Sequence, residues 1–259
     1  MDSPPGLGRD GVRDHIDLNA DLGEGFGDDR AVFPYVSSAN IACGAHAGDD
    51  GTMDAALALA QAHAVTIGAH VGYEDRAGFG RVPMDVDRET LTNSITRQIR
   101  TLQTRAEVFG LTVRYVKPHG ALYHRVASDP EQGRALVDAV RRAGDALELL
   151  VAQSRVLEAL AVPNVCRHEF FADRGYRADG TLVPRGESGA GLDDTGAIVA
   201  RTLRWVREGV VEAVEGHDVR ITADSICVHG DNPKAVETAR ALSAGLTASG
   251  VRVRSWMTP

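Results

Sequence analysis

The sequence predicts a β/α barrel of about seven strands, and two observations carry that expectation. Short β-branched runs alternate with helical stripes along the chain, as βα units require. Polar clusters begin where most of the strand candidates end. Side chains from that many strand ends converge on one barrel mouth, whereas an open doubly wound sheet draws on the few strands near its switch point.

The strand candidates are residues 15–20, 36–42, 65–70, 112–117, 147–153, 165–171 and 224–229. The clearest helix covers 88–109, where Leu91, Ile95, Ile99, Leu102, Ala106 and Phe109 recur at helical spacing before a stop at Gly110. An Ala-rich helix follows Gly51, with Asp49 or Asp50 as its cap, and Asp129 or Pro130 opens another that runs to about Gly144. Val199, Leu203, Val206 and Val210 form a stripe behind the possible caps Asp193 and Asp194. Asn232 and Pro233 suit the cap and first turn of a last long helix.

Residues 1–12, rich in Pro, Gly and Asp, have no apolar segment of the signal-peptide kind and read as a flexible tail. Residues 13–259 show no internal repeat or linker and read as one barrel domain. A net charge of -8 argues against nucleic acid or an anionic membrane as partner. No apolar run is long enough for a bilayer, and three cysteines without a CxxC pair suit a reducing, cytoplasmic setting.

Alternation in the first strand places His15, Asp17, Asn19 and Asp21 on one face, and buried acids there are costly unless they bind something. The Gly-rich loop behind that strand carries Glu24. Asn40 and His46 follow the second strand, and His70 ends the third. Cys43 could serve as a nucleophile, though a small buried cysteine is the commoner case. Of 28 cationic side chains only Lys117 and Lys234 are lysines. Lys117, at a strand end beside Pro118 and His119, is thus a compact titratable cation where the chain elsewhere uses Arg. Glu169, Arg174, Arg185, His229 and Asp231 complete the strand-end chemistry, with the arginines shaped to grip a carboxylate. No GxxxxGK[ST] loop, GxGxxG fingerprint or HExxH pair occurs, so nothing indicates that this chain binds a nucleotide by itself or holds a helical two-His zinc site.

Taken together these segments resemble the LamB/YcsF family, the A subunits of ATP-dependent 5-oxoprolinases. The resemblance rests on DLNADLGEGFG from Asp17, SANIACGAHAGD from Ser38, GAHVGYEDRAGFGR from Gly68 and VKPHGALYH from Val116. EFFADRGY from Glu169, LVPRG from Leu182 and SICVHGDNP from Ser225 extend it over residues 17–233. Departures are Asp50 in place of a usual Pro, a Val71–Glu74 stretch without the usual prolines, and His124 for a usual Asn. They bear on the shape of the loop after His70.

The resemblance implies a barrel similar to those of glycoside hydrolases and deacetylases. It implies opening of 5-oxo-L-proline to L-glutamate with subunits B and C, ATP being the co-substrate of the complex. A base among Asp21, His46, His70 and His119 would deprotonate water, Lys117 would stabilise the oxyanion or phosphate, and an Arg would hold the substrate carboxylate. Asn19, Glu24, Asn40, Glu169, Arg174, Arg185, His229 and Asp231 are then expected around the substrate. Two alternatives stay open: a stand-alone amidohydrolase or deacetylase using a divalent metal, and a non-catalytic substrate-binding subunit.

Overall fold

The computed structural model describes residues 13–160, 166–230 and 233–257, so the expected tail and the candidates Asp231 and Asn232 lie outside the described residues. The chain begins with β1 (His15–Leu22), α1 (Asp29–Val32), β2 (Ser38–Ala42), α2 (Asp50–His63), β3 (Thr66–Val71) and α3 (Arg88–Val108). Next come β4 (Val113–Pro118), α4 (Gly120–Ser128), α5 (Pro130–Ala143), β5 (Glu148–Val151), α6 (Arg155–Leu160) and β6 (Cys166–Phe171). The last part is α7 (Thr195–Glu208), β7 (Val210–Glu212), β8 (Asp218–Arg220), β9 (Ser225–Val228), α8 (Ala235–Ala248) and β10 (Arg252–Val253).

Seven parallel strands close into a barrel in the order β1-β2-β3-β4-β5-β6-β9, because β1 pairs with β2 on one side and β9 on the other. Closure leaves these strands no free edge. The short β10 pairs only with His15 and Ile16, at the start of β1.

Helix ends follow local chemistry. Asp49 caps α2 in a reciprocal box with Thr52, Asp87 caps α3 and Asp129 caps α5, each accepting a backbone N–H that the helix leaves unpaired. Two expectations are corrected. Gly209, left-handed at φ 71°, ends α7, so Val210 belongs to the antiparallel pair β7–β8 and not to the helical stripe. Ile198, Thr202, Trp205 and Val206 are the buried positions of α7. The last helix starts at Ala235 with Lys234 as its cap, past Pro233.

Strand alternation sorts the barrel into two environments. Ile16, Leu18, Ala20 and Leu22 join the apolar layer between strands and helices, with Met53, Leu57, Ile95, Leu102, Leu242 and Trp205. The opposite faces of β1, β2, β4, β6 and β9 turn Asp17, Asn19, Asp21, Ser38, Asn40, Lys117, Glu169 and Ser225 inward, all buried. The floor is apolar. Tyr115, Leu150 and Met257 cluster there with Trp256, whose indole donates to Glu148 at 3.0 Å. Gly68 leaves room for this floor, since a Cβ at that position would lie 2.2 Å from the Tyr115 ring.

Asp17 lies just above the floor, where it accepts from Ser37 and Ser38 at 2.6 Å each and from Ser225. Burial nonetheless outweighs these donors and pushes its carboxyl up from 3.8 to about 6. Between those two values the folded protein holds a proton that the unfolded chain has released, so stability falls as pH rises from 4 to 6 and then levels off. The shift of about 2 units corresponds to about 3 kcal/mol. In urea unfolding across pH 4–7, wild type should lose stability over that window relative to Asp17→Asn. Parallel pH profiles for the two proteins would contradict the assignment.

Candidate active site

The C-terminal ends of the strands deliver the polar groups to one mouth. Lys117, on the inner face of β4, is only 2% exposed. Its ammonium donates to Asp21 Oδ1 at 2.8 Å and lies 2.9 Å from Glu169 Oε2, so the cation bridges carboxylates from β1 and β6 across the barrel. It also approaches Cys227 Sγ at 3.1 Å and Asn19 Oδ1 at 3.4 Å. Burial disfavours the ammonium, but Asp21, Cys227 and Glu169 outweigh it and hold Lys117 well above the ordinary lysine value. Burial likewise opposes the Asp21 carboxylate, and the neighbouring His70 and Lys117 bring it well below its ordinary range. Burial leaves Glu169 raised.

Asn40 donates to both Asn19 and Asp21 at 2.7 Å, and Asn19 donates to Ser225 at 2.7 Å. Both asparagines are fully buried beneath Asp21 and Lys117. Expected around a substrate, they brace Asp21 and Lys117 from below.

Three histidines gather above. His70 is the penultimate residue of β3, and His119 is the residue before α4, where it makes no capping bond and its ring turns to His70. His46 comes from the loop after β2 and stacks on His119 with centroids 3.8 Å apart and planes 2° from parallel. The loop after β3 lies over these rings. There Gly80 has φ 62°, and a Cβ on it would come 2.8 Å from that of His46.

Backbone carbonyls fix two tautomers, since a carbonyl only accepts. His70 Nδ1 donates to the Lys117 carbonyl at 3.1 Å, and His119 Nε2 donates to the Phe79 carbonyl at 2.9 Å. The remaining nitrogens, His70 Nε2 and His119 Nδ1, face each other at 2.9 Å, and something positive must bridge them: a shared third proton or a cation. Burial pushes His46 down to about 4, His119 down to about 2 and His70 well below its ordinary value, which leaves their lone pairs available.

Glu24 Oε1 lies 3.4 Å from His119 Nδ1, 3.5 Å from His46 Nε2 and 3.7 Å from His70 Nε2. Glu24, His46, His70 and His119 therefore offer four donors within 4.8 Å of one another and can hold a divalent ion. These separations approach the roughly 3.3 Å edge expected of a tetrahedron with metal–nitrogen bonds near 2.05 Å. The orphaned ring nitrogens of buried His46 also fit a ligand. The parallel stack works the other way: His46 and His119 aim their in-plane lone pairs side by side, so one ring must turn before both reach one ion.

Lys117, Asp21, His70, His119, His229, Arg174 and Arg185 all border one small cavity of about 40 Å³. Arg81 adds a further cation to its wall. Two N–H groups of Arg174 are committed to the carbonyls of Ala190 at 2.8 Å and Val183 at 2.6 Å, so this side chain also holds the loop that presents Arg185. Cys43 lies apart. Its thiol is buried, contacts the Ile41 carbonyl at 3.2 Å and is pushed up to about 12 by burial, which leaves no thiolate to attack with.

Sequence reasoning passed over Asp173 and Cys227. Asp173, buried after β6, accepts from the His229 ring at 2.9 Å and so sets which nitrogen of His229 faces the cavity. Only the tight grouping of acid, base and aromatic side chains in Glu169–Tyr176 hinted at it.

Comparison with known proteins bears on the same geometry. A protein named as the A subunit of 5-oxoprolinase, from Streptomyces avermitilis, is 49% identical over 250 residues, covering 93% of this chain and 99% of that one. Another 5-oxoprolinase A subunit, from Pseudomonas syringae pv. tomato, is 50% identical over 234 residues, covering 88% and 91%. The crystal structure of the lactam utilization protein from Thermus thermophilus superposes with a TM-score of 0.88 at 40% identity, covering 93% of this chain and all of that one. A putative cellobiose-phosphate cleavage protein from Enterococcus faecalis, at 12% identity and TM-score 0.56, covers 93% of this chain and 97% of that one and shares the fold alone. The LamB/YcsF family profile matches residues 16–259, which include every strand-end residue described above, and the chain belongs to the LamB/YcsF family.

Proposed function

We propose that this chain is the A subunit of an ATP-dependent 5-oxoprolinase, which with B and C subunits hydrolyses 5-oxo-L-proline to L-glutamate. The observation that carries the reading is the Lys117 ammonium, held between Asp21 and Glu169 at the base of a small cavity with arginines in its wall. Such a lining suits a small ring bearing one carboxylate. Arg185 and Arg81 attract the carboxylate, and Lys117 meets the carbonyl oxygen or a phosphoryl group placed on it. The ring nitrogen must take up a proton as the C–N bond breaks, and it leaves among the imidazoles that border this cavity. His229, oriented by Asp173, borders the same space.

A lactam is a stabilised amide, and ATP supplies the drive for opening it. The sequence has no nucleotide fingerprint, so ATP is handled where the partner subunits meet it. No helix among the described residues is long and apolar enough to cross a membrane. The Glu24–His46–His70–His119 cluster favours a second reading, a metal-dependent amidohydrolase. A divalent ion bound there would polarise a carbonyl or acidify a water. One tightly bound ion per chain, together with turnover that needs no ATP, would select that reading.

Two outcomes are expected. The purified chain alone should neither hydrolyse ATP nor open 5-oxoproline, and both activities should appear together when B and C subunits are added. Robust turnover by the isolated chain would contradict the three-subunit reading, and a complex indifferent to changes at Lys117 would reduce this chain to a binding subunit.

Lys117→Arg keeps the charge but overpacks a fully buried site, so it should melt several degrees lower, and in the protein still folded at the assay temperature kcat of the complex should fall by on the order of 100-fold, because the larger planar guanidinium cannot replace a compact ammonium at the reacting oxygen. Near wild-type glutamate release by a folded Lys117→Arg protein would remove Lys117 from the chemistry.

A further inference from the structure

The histidines that border the Lys117 cavity are His70, His119, His124 and His229, and they differ in what their ring nitrogens have left to do. His70 and His119 each give one nitrogen to a backbone carbonyl and turn the other toward its neighbour at 2.9 Å, so neither has one to spare for water. Burial and the cations Arg174 and Arg185 disfavour the charged form of His124. Asp21 already accepts from Asn40 and Lys117, which makes it a poor proton acceptor, and His46 is not part of the wall.

His229 is placed differently. Its Nδ1 donates to the buried Asp173 carboxylate at 2.9 Å, and its ring stacks on Phe171 with centroids 5.4 Å apart. With the Nδ1 proton committed, Nε2 carries the lone pair, and among the described residues nothing is bonded to it. A proton arriving there makes an imidazolium that faces Asp173. Burial opposes that carboxylate, but the ring and backbone of His229 hold it below the ordinary aspartate value, so it is charged when the proton arrives.

The position also suits the chemistry. A ring nitrogen of His229, the Asp21 carboxylate and Cys227 Sγ lie within 4.8 Å of one another. The last two both touch the Lys117 ammonium, at 2.8 and 3.1 Å. A carbonyl oxygen set on Lys117 therefore puts its carbon about one water away from His229. Backbone packing fixes this spacing, since a Cβ on Gly230 would lie 2.2 Å from the Asp21 carbonyl oxygen. The His229 side chain is still 13% exposed, so water reaches it along the cavity wall.

Resting on the 5-oxoprolinase reading, we infer that His229 is the general base and then the general acid of ring opening, with Asp173 as its positioning residue. The water oxygen bonds to the ring carbonyl carbon, one water proton passes to His229 Nε2, and the C=O electron pair moves onto the oxygen beside Lys117. That pair returns as the C–N bond breaks, and His229 gives its proton to the leaving nitrogen. The imidazole ends the cycle neutral, so one residue serves both transfers.

The test uses the reconstituted complex. His229→Ala should lower kcat by on the order of 100-fold or more with little change in KM, and added imidazole should restore part of the rate in proportion to its neutral fraction as pH is varied. Asp173→Asn keeps the side-chain shape but no longer fixes the tautomer, so kcat should again fall by about 100-fold or more. The double variant should be no slower than His229→Ala, because Asp173 acts through that ring, whereas a merely structural Asp173 would add its own loss. Thermal melting checks the fold. If Asp173→Asn melts early, His229→Ala decides: lost kcat restored by imidazole supports the inference, and an unrestored rate overturns it. Near wild-type kcat in folded His229→Ala, a loss confined to KM, or fully additive losses in the double variant also overturn it. An active wild-type complex confines any of these failures to His229 and Asp173, whereas a wild-type complex inert toward 5-oxoproline fails the functional reading itself.

Discussion

The structure depends on one buried cation. Lys117 carries its charge into the centre of a closed barrel, and it is tolerable there only because Asp21 and Glu169 lie within 2.9 Å on either side. Those partners in turn set the inner faces of the strands around them. Asn40 and Asn19 spend their amides beneath Asp21, and Ser225 links Asn19 to Asp17. Asp17 has serine hydroxyls for partners, and its carboxyl is correspondingly raised. Two buried acids on one strand thus have opposite electrostatic fates, decided by whether His70 and Lys117 are in reach.

Closure of the sheet turns this layer into a site. Because β9 returns to β1, His229 comes near Asp21, and Lys117 reaches across to β6. The loop after β3 then folds over the mouth. It brings the Phe79 carbonyl onto His119 and Gly80 against His46, so the imidazoles are held by backbone and not by capping or surface bonds. The outcome is a site in which protons have defined donors and acceptors and bulk water has limited access, the condition under which a fixed ammonium acts most strongly on a reacting oxygen.

Much of this was legible in the sequence, for identifiable reasons. The long stripes of α3 and α5 announce themselves because each buries one face over many turns. The alternation in β1 correctly put Asp17, Asn19 and Asp21 on one face, since the period of a strand is fixed by its backbone. The rarity of lysine pointed to Lys117. What stayed hidden is whatever depends on distant pairing. The pair β7–β8 and the two-residue β10 are too short to have a period. The bonds that Asn19 and Asn40 make beneath Lys117 follow from strand register, and Asp173 meets its partner His229 56 residues on. The cavity bordered by Gln153, Glu169 and Thr222 belongs to no motif, because its walls come from α4, β6 and three loops.

The central claim is that Lys117 is held in the barrel by its two carboxylates and organises the interior through them. The most direct measurement is the unfolding free energy lost on Lys117→Met, taken in wild type and again with Asp21→Asn and Glu169→Gln in place. Stranding two buried carboxylates should cost about 3–5 kcal/mol in the wild-type background, and most of that cost should vanish once both are neutral. An equal loss in the two backgrounds would show that the ammonium and carboxylates are not coupled, and would contradict the account.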